Sequence, residues 1–152
     1  MMEAVTIIPE EMKRTGFRFT RDVIRATIPS GVVGTYCLIA DAEPIYIGRS
    51  DHCVLTRLAG HPLTGQATHF VWEPSRCTWQ AFCLESFWWH RIEQYPSLRN
   101  AIHPARPAGV TRPCPFCEKR DAKSLRRMLP WLAADSATPT KSFTQTTTCS
   151  PS

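Results

Sequence analysis

Glu85 is a carboxylate set among apolar neighbours. On a helix, its face-sharing positions three and four residues away are Ala81, Phe82, Trp88 and Trp89. A carboxylate in such a stripe loses hydration at a cost of several kcal/mol unless a positive partner offsets it. That partner is either an arginine or a hard divalent cation, which prefers carboxylate oxygen. Two phenols, Tyr36 and Tyr46, lie ten residues apart, with Arg57, His61 and Asn100 at intervals after them. Phosphodiester hydrolysis uses these residue types. It needs an activated water, charge relief on phosphoryl oxygens and help for the leaving oxygen. An arginine forks onto phosphate with a geometry that a lysine lacks. A histidine of ordinary pKa can relay a proton near neutrality. Taken singly, each residue has a plainer use: a cross-strand aromatic pair, a surface arginine, a helix-end histidine or a loop-capping asparagine.

A second group is the Cys114-Pro115-Phe116-Cys117 knuckle, with His103 eleven residues before Cys114. Structural zinc takes four such ligands. The fourth is open among His90, Cys83, His61 and Cys53, and a redox pair or two unrelated thiols are the alternatives. The chain holds seven cysteines and no secretory signal pattern, so they are expected as thiols or metal ligands and the protein as cytoplasmic.

The elements that would position these groups follow from pattern. Thr20 to Ala26 suits a short helix. Val32 to Ala40 and Ile45 to Gly48 suit two strands of a hairpin, with turn chemistry at Asp41 to Pro44 giving a loop of about four residues. A helix from Asp51 as N-cap to Ala59 ends at Gly60 and Pro62. Thr68 to Trp72 is a third strand, broken by Pro74-Ser75. Cys77 to Gln94, free of Gly and Pro, suits a long helix. Four prolines between His103 and Cys117 force an irregular segment, and Glu118 to Trp131 suits a basic helix. The expected fold is therefore α+β: a small three-stranded antiparallel sheet flanked by helices, with a proline-rich C-terminal extension and a basic helix. The expected divisions are an N-terminal segment 1–30, a central α+β domain 31–102, an extension 103–133 and a disordered Ser/Thr-rich tail 134–152.

The net charge of +5 is concentrated. Arg106, Arg112, Lys119, Arg120, Lys123, Arg126 and Arg127 face only Glu118 and Asp121 within residues 103–127, so the rest of the chain is neutral. Such a segment suits a phosphate backbone, though a solvated helix face has the same composition. No run of apolar residues is long enough to span a bilayer.

Gly34-Thr35-Tyr36 followed by Tyr46-Ile47-Gly48 resembles the paired tripeptides of the GIY-YIG nuclease family. Arg57, His61, Glu85 and Asn100 then fall in the family's order, so the resemblance covers residues 32–100. The His-Pro-Ala-Arg-Pro and Cys-Pro-Phe-Cys segments look like an extension of some bacterial members. Two positions depart from the pattern: Thr35 stands where isoleucine is usual, and Arg57 lies nine residues after Gly48, one more than typical. The resemblance implies an endonuclease that cleaves DNA. Tyr36 would be the general base, and Tyr46 would position water or phosphate. Arg57 would bind phosphate, His61 would assist proton transfer, and Asn100 would brace the site wall. Glu85 would hold Mg²⁺ or Mn²⁺, with Arg49 joining the basic segment on DNA. The other readings are a nucleic-acid-binding module that does not cut and a zinc-stabilised interaction module.

Overall fold

A computed structural model describes residues 5–6, 15–100 and 102–117. The expected basic helix from Glu118, with Lys119, Arg120, Lys123, Arg126 and Arg127, and the tail lie outside the described residues. The strands are β1 (Val5–Thr6), β2 (Thr15–Arg18), β3 (Gly34–Ala40), β4 (Glu43–Ser50) and β5 (His69–Pro74). The helices are α1 (Arg21–Thr27), α2 (Val54–Ala59) and α3 (Thr78–Ile92). The α+β class is as expected, and every strand pair is antiparallel. The strand count differs. Strands β2, β5, β3 and β4 lie side by side in that order, and the two-residue β1 extends the β2 end. The additional strand β2 pairs Phe17 with Phe70 and Arg18 with His69 of β5. Thr-Gly-Phe-Arg has no alternation to read, and its strand character comes from the partner it finds. No helix among the described residues is long and apolar enough to cross a membrane.

Strand β3 is central, and its residues from Gly34 to Ile39 are all buried. Its side chains alternate between two cores. Cys37 and Ile39, with Ile47 and Val71, pack against Phe82, Leu84 and Trp88 of α3. Tyr36 and Leu38 face the opposite way, against Ile24 of α1 and Val54 and Leu58 of α2. Full burial of side chains such as Leu38 and Leu84 contributes about 1.5–3 kcal/mol each. Thr35 faces α3, and its buried hydroxyl donates to the Ala81 carbonyl at 2.8 Å, which satisfies the polar group it brings to an apolar position.

The hairpin loop has two residues rather than about four. Asp41 and Ala42 both take positive φ, 53° and 63°, the turn type whose twist matches the flanking strands. Pro44 therefore lies within β4, where an edge strand tolerates its missing N–H. The register shifts beside it: Leu38 pairs with Tyr46 and Ile39 with Pro44. Ile45 is the extra residue of a bulge, so Ile45 and Tyr46 both pack into the α1/α2 core. Because Ala42 holds a left-handed conformation, Ala42→Gly is expected to raise stability by about 1 kcal/mol, read as a higher urea midpoint.

Helix α2 begins at Val54 with Cys53 as N-cap, not at Asp51. The Ser50 hydroxyl accepts from the Cys53 amide at 2.8 Å and bends the chain first, which leaves Asp51 to bind Arg49.

Candidate functional site

The side chains singled out on the hairpin and α2 converge. The Tyr36 and Tyr46 rings stack with centroids 6.3 Å apart. The His61 ring meets both edge-on, at 5.6 and 4.9 Å. Arg57 Nε donates to the Tyr36 hydroxyl at 3.4 Å, and the guanidinium also meets the Tyr46 hydroxyl. Strand pairing puts Tyr36 opposite Gly48, so its ring lies over a residue with no side chain. Tyr46, Arg57 and His61 line an open cleft of about 410 Å³ together with Pro62 and Arg99.

Burial sets the charge states. Tyr36 is fully buried, and loss of hydration pushes its phenol above the usual range, against the opposing pull of Arg57. His61 is pushed down to about 4, first by burial and then by Arg57. It is therefore a neutral imidazole at pH 7, where its ordinary pKa would have made it a proton relay. The Leu63 amide donates to His61 Nδ1 at 3.1 Å, which leaves the ring proton on Nε2.

Glu85 sits on α3, which packs against the sheet face opposite the two tyrosines. The residue is 7% exposed, and its carboxylate accepts from Arg49 Nη1 at 2.6 Å. Arg49 is turned inward. Its guanidinium also reaches Asp51 at 2.8 Å and the Ala105 carbonyl at 2.6 Å, so it is spent inside the protein rather than offered to DNA. Burial still dominates at Glu85 and pushes its carboxyl up to about 7, with Arg49 opposing and Asp51 adding to the rise. The Glu85 carboxylate adds slightly to the rise at Tyr36, and Arg57 opposes the rise at both groups. The arginine partner of Glu85 is thus the plainer of the two readings of its sequence environment.

Asn100 braces β4. Its amide accepts from the Ile47 N–H at 2.8 Å and donates to the Ile47 carbonyl at 2.7 Å. With Arg99 N–H on the Ile45 carbonyl and the Ser97 hydroxyl on the Pro44 carbonyl, it covers an edge that would otherwise present unpaired backbone. The indole of Trp89 on α3 donates to the Asn100 carbonyl at 3.1 Å and fixes this segment to the helix.

The knuckle finds its fourth partner on α3. Ligand atoms of His90, His103, Cys114 and Cys117 lie within 4.8 Å of one another, a group able to hold a metal ion. Cys53 caps α2 and His61 packs on the tyrosines, so neither joins it. Cys37, Cys53, Cys83, Cys114 and Cys117 are free thiols. Of the basic side chains expected on DNA, Arg106 binds the Thr111 carbonyl at 2.8 Å and Arg112 lies over the Trp79 ring at 4.3 Å.

Comparison with protein-family models, characterised proteins and solved structures finds no match to this chain.

Proposed function

We propose that Tyr36, Tyr46, Arg57 and His61 form a phosphodiester-cleaving site and that the chain is a DNA endonuclease of the type its tripeptides resemble. One observation carries the reading: Arg57 bonded to the Tyr36 hydroxyl, with Tyr46 and His61 packed beside it, at the wall of an open cleft. A phosphate entering the cleft meets the Arg57 guanidinium, which offsets charge on its oxygens. Tyr36 holds its proton at neutral pH and acts as a positioning donor. Tyr46, half-buried and lining the cleft, takes over the contact with water. His61, as a neutral imidazole, donates an Nε2–H hydrogen bond to a phosphoryl oxygen, while solvent in the open cleft takes the proton of the attacking water and supplies one to the leaving oxygen.

Mg²⁺ or Mn²⁺ on Glu85 is the ordinary complement of such a site and would stabilise the departing oxygen. The donor set as folded does not fit one: the Glu85 and Asp51 carboxylates both already carry Arg49, and the Asn100 amide is consumed by Ile47. The chemistry is therefore assigned here to Arg57, the phenols and His61. The same ion pair favours a second reading, a nucleic-acid-binding module that does not cut.

Supercoiled plasmid incubated without added cation, with Mg²⁺ and with Mn²⁺ separates these readings. Nicking by the wild type is expected, and Arg57→Ala should slow it about 10²-fold. A folded wild type that nicks under none of the three conditions sinks the nuclease reading. Salt-dependent binding that survives Glu85→Gln would then support the second.

A further inference from the structure

We propose that His90, His103, Cys114 and Cys117 are the four ligands of a structural zinc ion that fastens the proline-rich segment 102–117 to α3. The spacing is that of a coordination shell. His90 Nε2 is 3.6 Å from the sulfurs of both Cys114 and Cys117, and His103 Nε2 is 3.4 Å from Cys117. A tetrahedron with Zn–S near 2.3 Å and Zn–N near 2.0–2.1 Å has N···S edges of about 3.5 Å. A single ion at the centre accounts for all three distances.

The outer contacts point the same way. His103 Nδ1 lies 2.8 Å from the Pro104 carbonyl, so that nitrogen carries the proton and the Nε2 lone pair is free for a metal. His90 Nδ1 lies 3.4 Å from the Glu93 carboxylate, an oxygen acceptor behind the second imidazole. The Phe116 amide donates to Cys114 Sγ at 3.4 Å, an outer-shell contact that holds this sulfur in place. Two thiolates with two imidazoles in a tetrahedron select zinc among the common divalent ions. Four protein ligands leave no open position, so the ion's role is structural.

The segment has reason to need it. Its anchoring rests on a few side chains of an otherwise irregular loop: Cys114 and Phe116 join the α3 core, with Phe116 on Phe87 at 5.6 Å, and Arg112 lies over Trp79. An ion joining both ends of the segment to the last turn of α3 supplies what this small contact lacks. It also reaches the neighbouring site, because Ala105, two residues after His103, holds Arg49 through its carbonyl.

The test is elemental analysis of the full chain purified without chelator, followed by Co²⁺ substitution of the stripped protein. One zinc per chain is expected, with the intense visible bands of tetrahedral thiolate-bound cobalt after exchange. His90→Ala and the double variant Cys114→Ser, Cys117→Ser should fall to less than one tenth of an equivalent. His90→Cys, which restores a ligand, and Cys53→Ser, which touches none, should keep one. Alkylation with iodoacetamide before and after chelation gives a readout on the wild type alone, with two more thiols reacting once the ion is removed. A folded wild type that neither contains zinc nor takes up Co²⁺ overturns the assignment. So does a His90→Ala chain that keeps a full equivalent, or a different metal at full occupancy.

Discussion

Gly48→Ala is expected to lower stability by about 1–3 kcal/mol and, in the same chain, to slow the proposed phosphodiester cleavage by about 10²-fold or more. A Cβ built on Gly48 stands 2.6 Å from Tyr36 Cζ and 2.9 Å from Tyr46 Cε1. Tyr36 is fully buried and cannot yield outward, so its ring must shift off Arg57 or β4 must move. Two other glycines separate the causes. A Cβ on Gly34 meets the Glu73 carbonyl at 2.5 Å and Pro74 Cα at 3.2 Å, both backbone of β5. Gly34→Ala should therefore weaken strand pairing without touching the rings. Gly60→Ala meets only the Thr56 carbonyl at 3.8 Å and should behave as wild type. Urea midpoints and plasmid nicking on the three variants check this. A Gly48→Ala chain with the wild-type midpoint would mean the rings leave more room than these contacts allow.

That clash also explains why the two tripeptides were informative in sequence. Their glycines sit where backbone or rings approach too closely for any side chain, and their tyrosines stack because the hairpin register sets them there. Arg57 and His61 were legible because α2 follows the hairpin after a short turn. The sides of the sheet were not legible. Strand β3 is buried on both faces, so its sequence carries no polar alternation to say that Tyr36 faces α2 while α3 brings Glu85 to the other side. The burial of Glu85 could be read from its apolar helix neighbours, and an arginine partner could be anticipated. Which arginine depended on the Ser50 turn that freed Asp51 to share Arg49. His90 could be named as a candidate ligand but not ranked, because 24 residues separate it from Cys114 and an irregular loop can close over many lengths at similar cost. A Glu93 one turn beyond it was the available signal.

Glu85 should make the protein less stable as pH rises from 5 to 7. Its folded carboxyl titrates near 7 against an ordinary value of 4.5, because lost hydration outweighs the pull of Arg49. Below pH 4.5 both folded and unfolded chains carry the proton, and above 7 both have released it. Between these limits the folded chain binds more protons than the unfolded one, so each step upward in pH favours unfolding. Over the whole window the penalty is about 3 kcal/mol. His61 acts in the opposite sense: held near 4, it loses stability as pH falls from 6.5, so the wild-type profile alone would blend the two. Glu85→Gln isolates the carboxyl, since glutamine keeps an acceptor for Arg49 and cannot ionise. The variant is expected to gain about 3 kcal/mol relative to wild type between pH 4.5 and 8, read from urea midpoints in metal-free buffer. An unchanged difference across that range would mean Arg49 fully compensates the buried charge. Glu85 would then be ionised at every working pH, the condition in which a cation could compete with the guanidinium. The sign of this one titration therefore bears on whether Glu85 is open to a cation, without requiring any cleavage to be observed.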